Sequence, residues 1–362
     1  MKFFFSDLLF YFIFFIFSLI IINNKYLNKQ SFTTLIYDYF FEQQYNNTHC
    51  IKNEIFNNDF YLNNCKDFEC CNKCLDFQNC TNFCVKQKLN RLKIHSPIET
   101  LHEIINNNKS ISRFGDGEFN LIFGRSISFQ KANKLLSKRL KNVLESNEEG
   151  LLIGLPDPFT LKNECLNKLN IRTKKFLLNY IEKNKFKLMF LNTDKIYYSS
   201  FISRFYYPYK DKSGVSKYIK KLKKIWEQKD ILIIEGEKSR IGIGNDLFNN
   251  TNSIKRILCP SINAFELYDK ILNEALKIDK NKLILLALGP TATVLSYDLY
   301  KAGYHVIDIG HVDIEYEWFL RKASNVIKIE GKFVNEAKGG NINIKDVKDK
   351  NYYEQIIAKV LK

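Results

Sequence analysis

Leu283-Ile284-Leu285-Leu286-Ala287-Leu288-Gly289-Pro290-Thr291-Ala292-Thr293, running on through Ala302-Gly303 to His305-Val306-Ile307-Asp308-Ile309, outlines the fold. A six-residue apolar run has strand length, the Gly-Pro turn stops it, and a helical stretch closed by Gly303 leads into a second strand. Strand, tight turn, helix and strand make a βαβ unit, whose helix amino terminus offers free N–H groups and a positive dipole end to an anion. Thr291 and Thr293 add hydroxyl donors there, although threonine also serves as a plain helix cap.

The same alternation extends outward. Ile98 to Ile105 has helical spacing, Ser110 to Phe114 reads as a strand, and Lys131 to Leu144 as a helix. Leu151 to Leu155, Phe186 to Leu191 and Ile231 to Glu235 are further apolar runs of strand length. Strands alternating with helices predict an α/β domain over residues 95–362, with a mostly parallel sheet covered by helices on both faces. In that architecture ligands sit at the carboxyl ends of the strands.

Four segments at those ends carry chemistry. Arg113-Phe114-Gly115-Asp116-Gly117-Glu118 places two carboxylates just past a strand, flanked by glycines that let the backbone turn. Oxygen ligands of this kind suit a hard divalent cation, Mn2+ or Mg2+, which would also bind a diphosphate; an acidic turn in water is the plainer reading. Glu235-Gly236-Glu237-Lys238-Ser239-Arg240, followed by Gly242, Gly244 and Asn245, offers cationic side chains and backbone N–H groups to phosphate without the Gly-Lys-Ser/Thr ending of a Walker loop. The Gly289-Pro290-Thr291-Ala292-Thr293 turn is the third. Asp308-Ile309-Gly310-His311-Val312-Asp313-Ile314-Glu315 is the fourth, a titratable cluster suited to a general base or further metal ligands, or else a solvated helix start.

Upstream the composition changes. Residues 3–22 form a near-continuous apolar run of bilayer-spanning length with no small-residue cleavage site, which predicts an uncleaved signal anchor. Residues 23–91 hold Cys50, Cys65, Cys70, Cys71, Cys74, Cys80 and Cys84, seven of the nine cysteines. Behind a membrane segment these predict a disulfide-linked stem in the secretory-pathway lumen of the ER or Golgi; zinc is the alternative the spacing allows. Sequons at Asn46, Asn79, Asn108 and Asn249 agree with a lumenal glycoprotein. The formal charge of +16 raises the local concentration of anionic substrates or acidic membrane, and equally matches the Lys, Asn and Ile bias of an AT-rich genome. Basic residues are spread along the chain without a zinc-finger, RNA-recognition or helix-turn-helix signature, so nucleic acid is not an expected partner.

Together with Cys259-Pro260-Ser261 and Gly244-Asn245-Asp246-Leu247-Phe248, the four segments resemble, in order and over about residues 95–340, the GT-D fold glycosyltransferase family. The resemblance implies a Rossmann-like catalytic domain, a nucleotide-sugar donor such as a UDP-sugar, a glycan or glycoprotein acceptor, and a divalent metal on an Asp-x-Glu pair. That pair falls on Asp116 and Glu118. Donor contacts are then expected from Arg113, Lys238, Arg240, Asn245, Gly289, Pro290, Thr291 and Thr293, and the base from Glu315, Asp313 or His311. A membrane-tethered glycan-binding module without turnover is the competing reading, and a phosphotransferase built from the same diphosphate-binding parts is another.

Overall fold

In the computed structural model, residues 85–361 are described. Nine strands make one sheet: β1 (Lys93–Ile94), β2 (Ser110–Arg113), β3 (Leu151–Leu155), β4 (Ile196–Ser199), β5 (Asp230–Gly236), β6 (Ser253–Cys259), β7 (Leu283–Ala287), β8 (Val306–Asp308) and β9 (Ile356–Lys359). Their order across the sheet is β1-β4-β3-β2-β8-β7-β5-β6-β9, and every pairing is parallel. The expected parallel α/β sheet is therefore present.

The central strands are apolar in both directions because both faces are covered. Leu232, Ile234, Ile284 and Leu286 pack into one core cluster, while their neighbours Ile231, Ile233, Leu283 and Leu285 pack into the other. That alternation is the period of two expected of strands between two helical layers. The helices from residue 97 on are α1 (Pro97–Asn106), α2 (Asp116–Ile122), α3 (Lys134–Glu145), α4 (Asn163–Leu166), α5 (Ile171–Leu188), α6 (Val215–Leu222), α7 (Tyr268–Ala275), α8 (Pro290–Lys301), α9 (Val312–Leu320) and α10 (Lys350–Gln355). The first cluster takes residues from α2, α3, α5, α7 and α8, the second from α1, α6 and α9. A short helical stretch at residues 85–90 contributes Val85 and Leu89 to the first cluster, so the packed unit reaches back at least that far.

Local chemistry starts the helices where the pattern places them. Ser96 caps α1 in a reciprocal box with Glu99, and Pro97 occupies the first helical position. The run Phe186 to Leu191 is not a strand. Its first half is the end of α5, whose Leu177, Tyr180, Ile181 and Leu188 are buried at helical spacing. The strand that follows is β4, whose Ile-Tyr-Tyr-Ser composition carries little apolar contrast. β6 is hidden by Lys255 and Arg256, the latter only 1% exposed because it pairs with Glu235 inside the sheet layer.

Among the described residues no helix is long and apolar enough to cross a membrane. The expected anchor at residues 3–22, the seven stem cysteines, Asn46 and Asn79 lie outside the described residues. Asn108 and Asn249 are exposed, and Cys165 and Cys259 carry free thiols.

His305, just before β8, gives the domain an acid sensitivity. Its Nε2 lies 3.1 Å from the Lys109 carbonyl. Burial, with the Lys229 charge adding to it, pushes its pKa down from 6.5 to about 4. The unfolded chain therefore binds the proton first as pH falls, and stability that is complete above pH 6.5 drains away as pH approaches 4. The full span corresponds to roughly 3 kcal/mol. Urea unfolding at pH 7.5 and 4.5 should show a smaller acid loss for His305→Gln than for the native chain; equal losses would remove His305 as the cause.

Candidate functional site

The strand order reverses at the middle of the sheet. From β2 the chain moves outward to β3 and then β4, whereas β8 is reached from β7 on the other side, yet β2 and β8 are neighbours. At such a switch point the two connections part and a crevice opens at the carboxyl ends of the strands. Arg113 ends β2 and Asp308 ends β8. Arg113 donates from Nε to the Asp308 carbonyl at 2.6 Å, from Nη2 to its Oδ1 at 2.7 Å, and from Nη1 to Ser203 Oγ at 2.6 Å and Ser200 O at 3.1 Å. Its planar fork is thus spent on fixing the floor of the crevice. Gly310 has φ +41°, and a Cβ there would lie 1.9 Å from Arg113 Nη2, so this approach requires glycine. Helix α8 is tied to the same floor: Thr293 Oγ1 donates to the Arg113 carbonyl at 2.9 Å, and the Ser112 and Ser296 hydroxyls pair at 2.5 Å.

Above this floor, Asp116 and Glu118 occupy the first turn of α2. The helix is held down by Phe119, fully buried against Phe114 and Phe159 at ring-centroid distances of 6.1 Å and 5.7 Å. Glu118 reaches back with Oε2 to accept the Gly115 N–H at 2.7 Å, as a residue at the third helical position does. Asp116 keeps part of its surface open to solvent and takes no hydrogen bond from another side chain. Desolvation by the surrounding walls raises the Asp116 pKa, with the Arg204 charge opposing. Burial pushes Glu118 up to about 7, and the nearby Asp308 and Asp116 charges add to it. The pair is thus an acidic spot drawn largely out of water.

Three groups from separate segments face that spot. Arg204 follows the 3-10 turn Ser200–Ser203, His311 caps α9, and Glu336 comes from the long segment between α9 and α10. Arg204 grips Glu336 with both terminal nitrogens, Nη1 at 2.9 Å, and lies 3.8 Å from Glu315 Oε1. His311 Nε2 is 3.2 Å from Glu336 Oε1. Arg204 and Glu336 act on Asp116 through their charges, and His311 would do so when protonated. Burial alone would raise Glu336, but Arg204 and His311 hold it well below the usual carboxylate range. Burial first, and Arg204 second, lower the His311 pKa, so the imidazole is neutral at pH 7 and able to accept a proton.

The other expected base candidates are placed differently. Glu315 is 0% exposed and accepts the N–H groups of Tyr206 and Tyr207 at 2.8 Å and 2.7 Å. Asp313 is buried, accepting from Gly242 N at 2.9 Å and Asn245 Nδ2 at 2.8 Å, and contacting Lys332 Nζ at 2.6 Å. Helix α9 is therefore no solvated helix start: Val312 to Trp318 are all buried. Of the three, His311 is the one that, when protonated, acts electrostatically on Asp116.

The expected donor contacts also divide. Lys238 Nζ contacts Asp346 at 3.1 Å, while Arg240 is bonded to the Gly331 and Lys345 carbonyls at 2.7 Å and 2.5 Å and to Asp346 at 2.7 Å. Both cations pin the segment after α9. Asn245 spends its amide on Asp313 and Glu317. At the mouth of α8, Gly289 has φ +54° and packs under Phe129, Pro290 begins the helix, and the buried Thr291 hydroxyl has no hydrogen-bond partner. Arg204 and Glu336 were not legible: the first follows the unrecognised β4, and the second lies in a stretch without periodic pattern.

Among the described residues no group of three or more His, Cys, Asp and Glu side chains is arranged to hold a metal ion. Asp116 and Glu118 nevertheless fit one, since small hard cations are commonly held by one or two carboxylates, with water and substrate phosphates completing the shell. Burial raises the pKa of both carboxyls, chiefly by desolvation, and a bound cation would offset that cost.

The family described as "Glycosyltransferase GT-D fold" matches residues 111–337. Glycosyltransferase GlyD of Streptococcus pneumoniae serotype 4 (strain ATCC BAA-334 / TIGR4) is 38% identical over 278 residues, 76% of this chain and 34% of the relative. Probable glycosyl transferase Gly of Streptococcus gordonii is 40% identical over 273 residues, 75% of this chain and 39% of the relative. The matches thus span little more than a third of these curated relatives. A solved structure described as a highly conserved domain of unknown function 1792 with a distinct glycosyltransferase fold is 40% identical with a TM-score of 0.73, covering 77% of this chain and 99% of that one. A second, described as a new glycosyltransferase from Streptococcus sanguinis, is 40% identical with a TM-score of 0.70, covering 74% and 99%.

Proposed function

The chain belongs to the GT-D fold glycosyltransferase family, and from that membership we propose that it transfers a sugar from a nucleotide-sugar donor, a UDP-sugar, to a glycan or glycoprotein acceptor in the crevice between β2 and β8. The observation that supports this most is the meeting at the switch point of an uncommitted carboxylate, Asp116, with a neutral imidazole backed by a carboxylate, His311 and Glu336.

Each group has a task in this reading. Asp116 and Glu118 would hold the divalent cation, Mn2+ or Mg2+, which supplies charge neutralisation to a diphosphate leaving group. The amino terminus of α8, at Gly289, Pro290 and the unpartnered Thr291 hydroxyl, faces the same end of the sheet and suits the donor phosphates. With its Nε2–H donated to Glu336, His311 presents Nδ1 as the free acceptor for the proton of the attacking hydroxyl. Glu336 stabilises the imidazolium that results, and Arg204 keeps Glu336 ionised and oriented. Glu315, locked by two backbone N–H groups, positions Arg204 from behind.

The apolar run at residues 3–22 would tether this domain to a membrane, with the catalytic unit in the lumen of the ER or Golgi. The cysteine-rich residues between and the exposed sequons at Asn108 and Asn249 support that placement. Incubation of the full-length protein with a panel of UDP- and GDP-sugars, with and without Mn2+, tests the activity. Release of free nucleotide from one donor, dependent on the cation, is expected; release from none, or undiminished release in excess chelator, overturns the assignment.

A further inference from the structure

We propose that a groove on the α9 face of the sheet, distinct from the Asp116 crevice, holds a neutral carbohydrate: a part of the acceptor glycan remote from the new bond. The proposal rests on the glycosyltransferase reading for its purpose, but not for the binding itself. The groove, of about 430 Å3, lies between the loop after β5, the first half of β6 and α10. That volume falls within the roughly 300–1,000 Å3 of small-molecule sites. None of the crevice residues lines it.

Its base is a buried arginine with a donor to spare. Arg256, 1% exposed, gives Nη1 to Glu235 at 2.5 Å and Nε to Gln355 at 2.7 Å, and lies 5.2 Å from the Tyr352 ring. Among the described residues nothing bonds to its Nη2. With Nη1 and Nε committed, this remaining nitrogen can donate to an acceptor that enters the groove. Asn351, Gln355 and Asp349 add amide and carboxylate groups to the lining. Gly244, at φ +78° with nothing within 4 Å of a Cβ position, leaves its backbone open.

Charge separates the candidate ligands. Glu235 already neutralises Arg256, and Asp349 adds a negative charge, so a phosphate or carboxylate would meet no net attraction. Hydroxyl groups can both accept from Arg256 and the amides and donate to Asp349 and the amide carbonyls. A hydroxyl-rich neutral ligand uses every group present. The groove is also mechanically joined to the crevice: Gly242 and Asn245, in its wall, bond to Asp313, two residues beyond His311.

Saturation-transfer difference NMR on the full-length protein, without donor, tests the site with lactose and N-acetylglucosamine as probes and inorganic phosphate as competitor. Saccharide signals are expected with the native chain, undiminished by phosphate. They should fall at least about five-fold in Asn351→Trp, which fills the groove, and measurably in Asn351→Ala, which removes an amide from its lining. Donor hydrolysis to water should be unchanged in both variants. Absent saccharide signals, signals equal in the native chain and both variants, or displacement by phosphate would overturn the proposal. Binding that responds to the variants in a protein without donor hydrolysis would leave the groove standing and remove only the catalytic reading.

Discussion

Asp116→Ala is expected to lower cation-dependent sugar transfer by about 10²- to 10³-fold, the range seen when a group that stabilises developing charge is removed. The native melting temperature should be kept, because the Asp116 carboxylate is hydrogen-bonded to no other side chain and its surface is partly exposed. Glu118 separates the two effects. It caps the Gly115 N–H at 2.7 Å, so Glu118→Ala should cost about 0.5–2 kcal/mol of stability in addition to rate. Paired measurements of nucleotide release over a Mn2+ titration and of thermal unfolding distinguish the variants. Turnover of Asp116→Ala within a few-fold of the native chain would remove that carboxylate from the chemistry.

The largest stability effect is expected at Lys332. This lysine is 4% exposed and sits 2.6 Å from Asp313 Oδ2 and 3.0 Å from Glu317 Oε1, two carboxylates one turn apart on α9 that are themselves almost fully buried. Lys332→Met leaves both acids facing each other without their shared cation, a change that costs about 3–5 kcal/mol in buried pairs. For a domain of this size the melting temperature should drop by roughly 10 °C. Adding Asp313→Asn should restore part of the loss, since it removes one of the stranded charges. A loss below about 1 kcal/mol by chemical denaturation would mean that water reaches the pair and that α9 is not held as described.

The difference between what was legible in the chain and what was not follows from the reach of each interaction. β5 and β7 are readable because both faces of a central parallel strand are apolar, and Gly289 and Gly303 mark the turns of the βαβ unit that joins β7 to β8. β4 and β6 are not, since Tyr197, Tyr198 and Arg256 are accommodated by partners distant in sequence, such as Glu235 for Arg256. Arg113, Asp116, Glu118 and His311 stand next to strand ends, so adjacency alone brings them to the crevice. Asp313 and Glu315 share that adjacency, but a helix turns successive residues to different sides, and burial commits these two to Lys332 and to the Tyr206 and Tyr207 backbone. Glu336 reaches the site from an irregular segment that no periodicity marks.

The seam between β2 and β8 also sets when the protein becomes competent. Its bonds join residues far apart in the chain: Arg113 to Asp308 across 195 positions, Ser112 to Ser296 across 184, and Thr293 to the Arg113 carbonyl across 180. Closing loops of that length is an entropic cost met before the contacts return anything, so such pairings form late and slowly. During synthesis β2, β3 and β4 emerge long before β8, and a chain at that stage has Asp116 and Glu118 but neither the floor beneath them nor His311 beside them. The crevice of the newborn polypeptide is therefore incomplete until β8 has joined the sheet. In refolding, any activity that depends on the crevice should return only with that last closure.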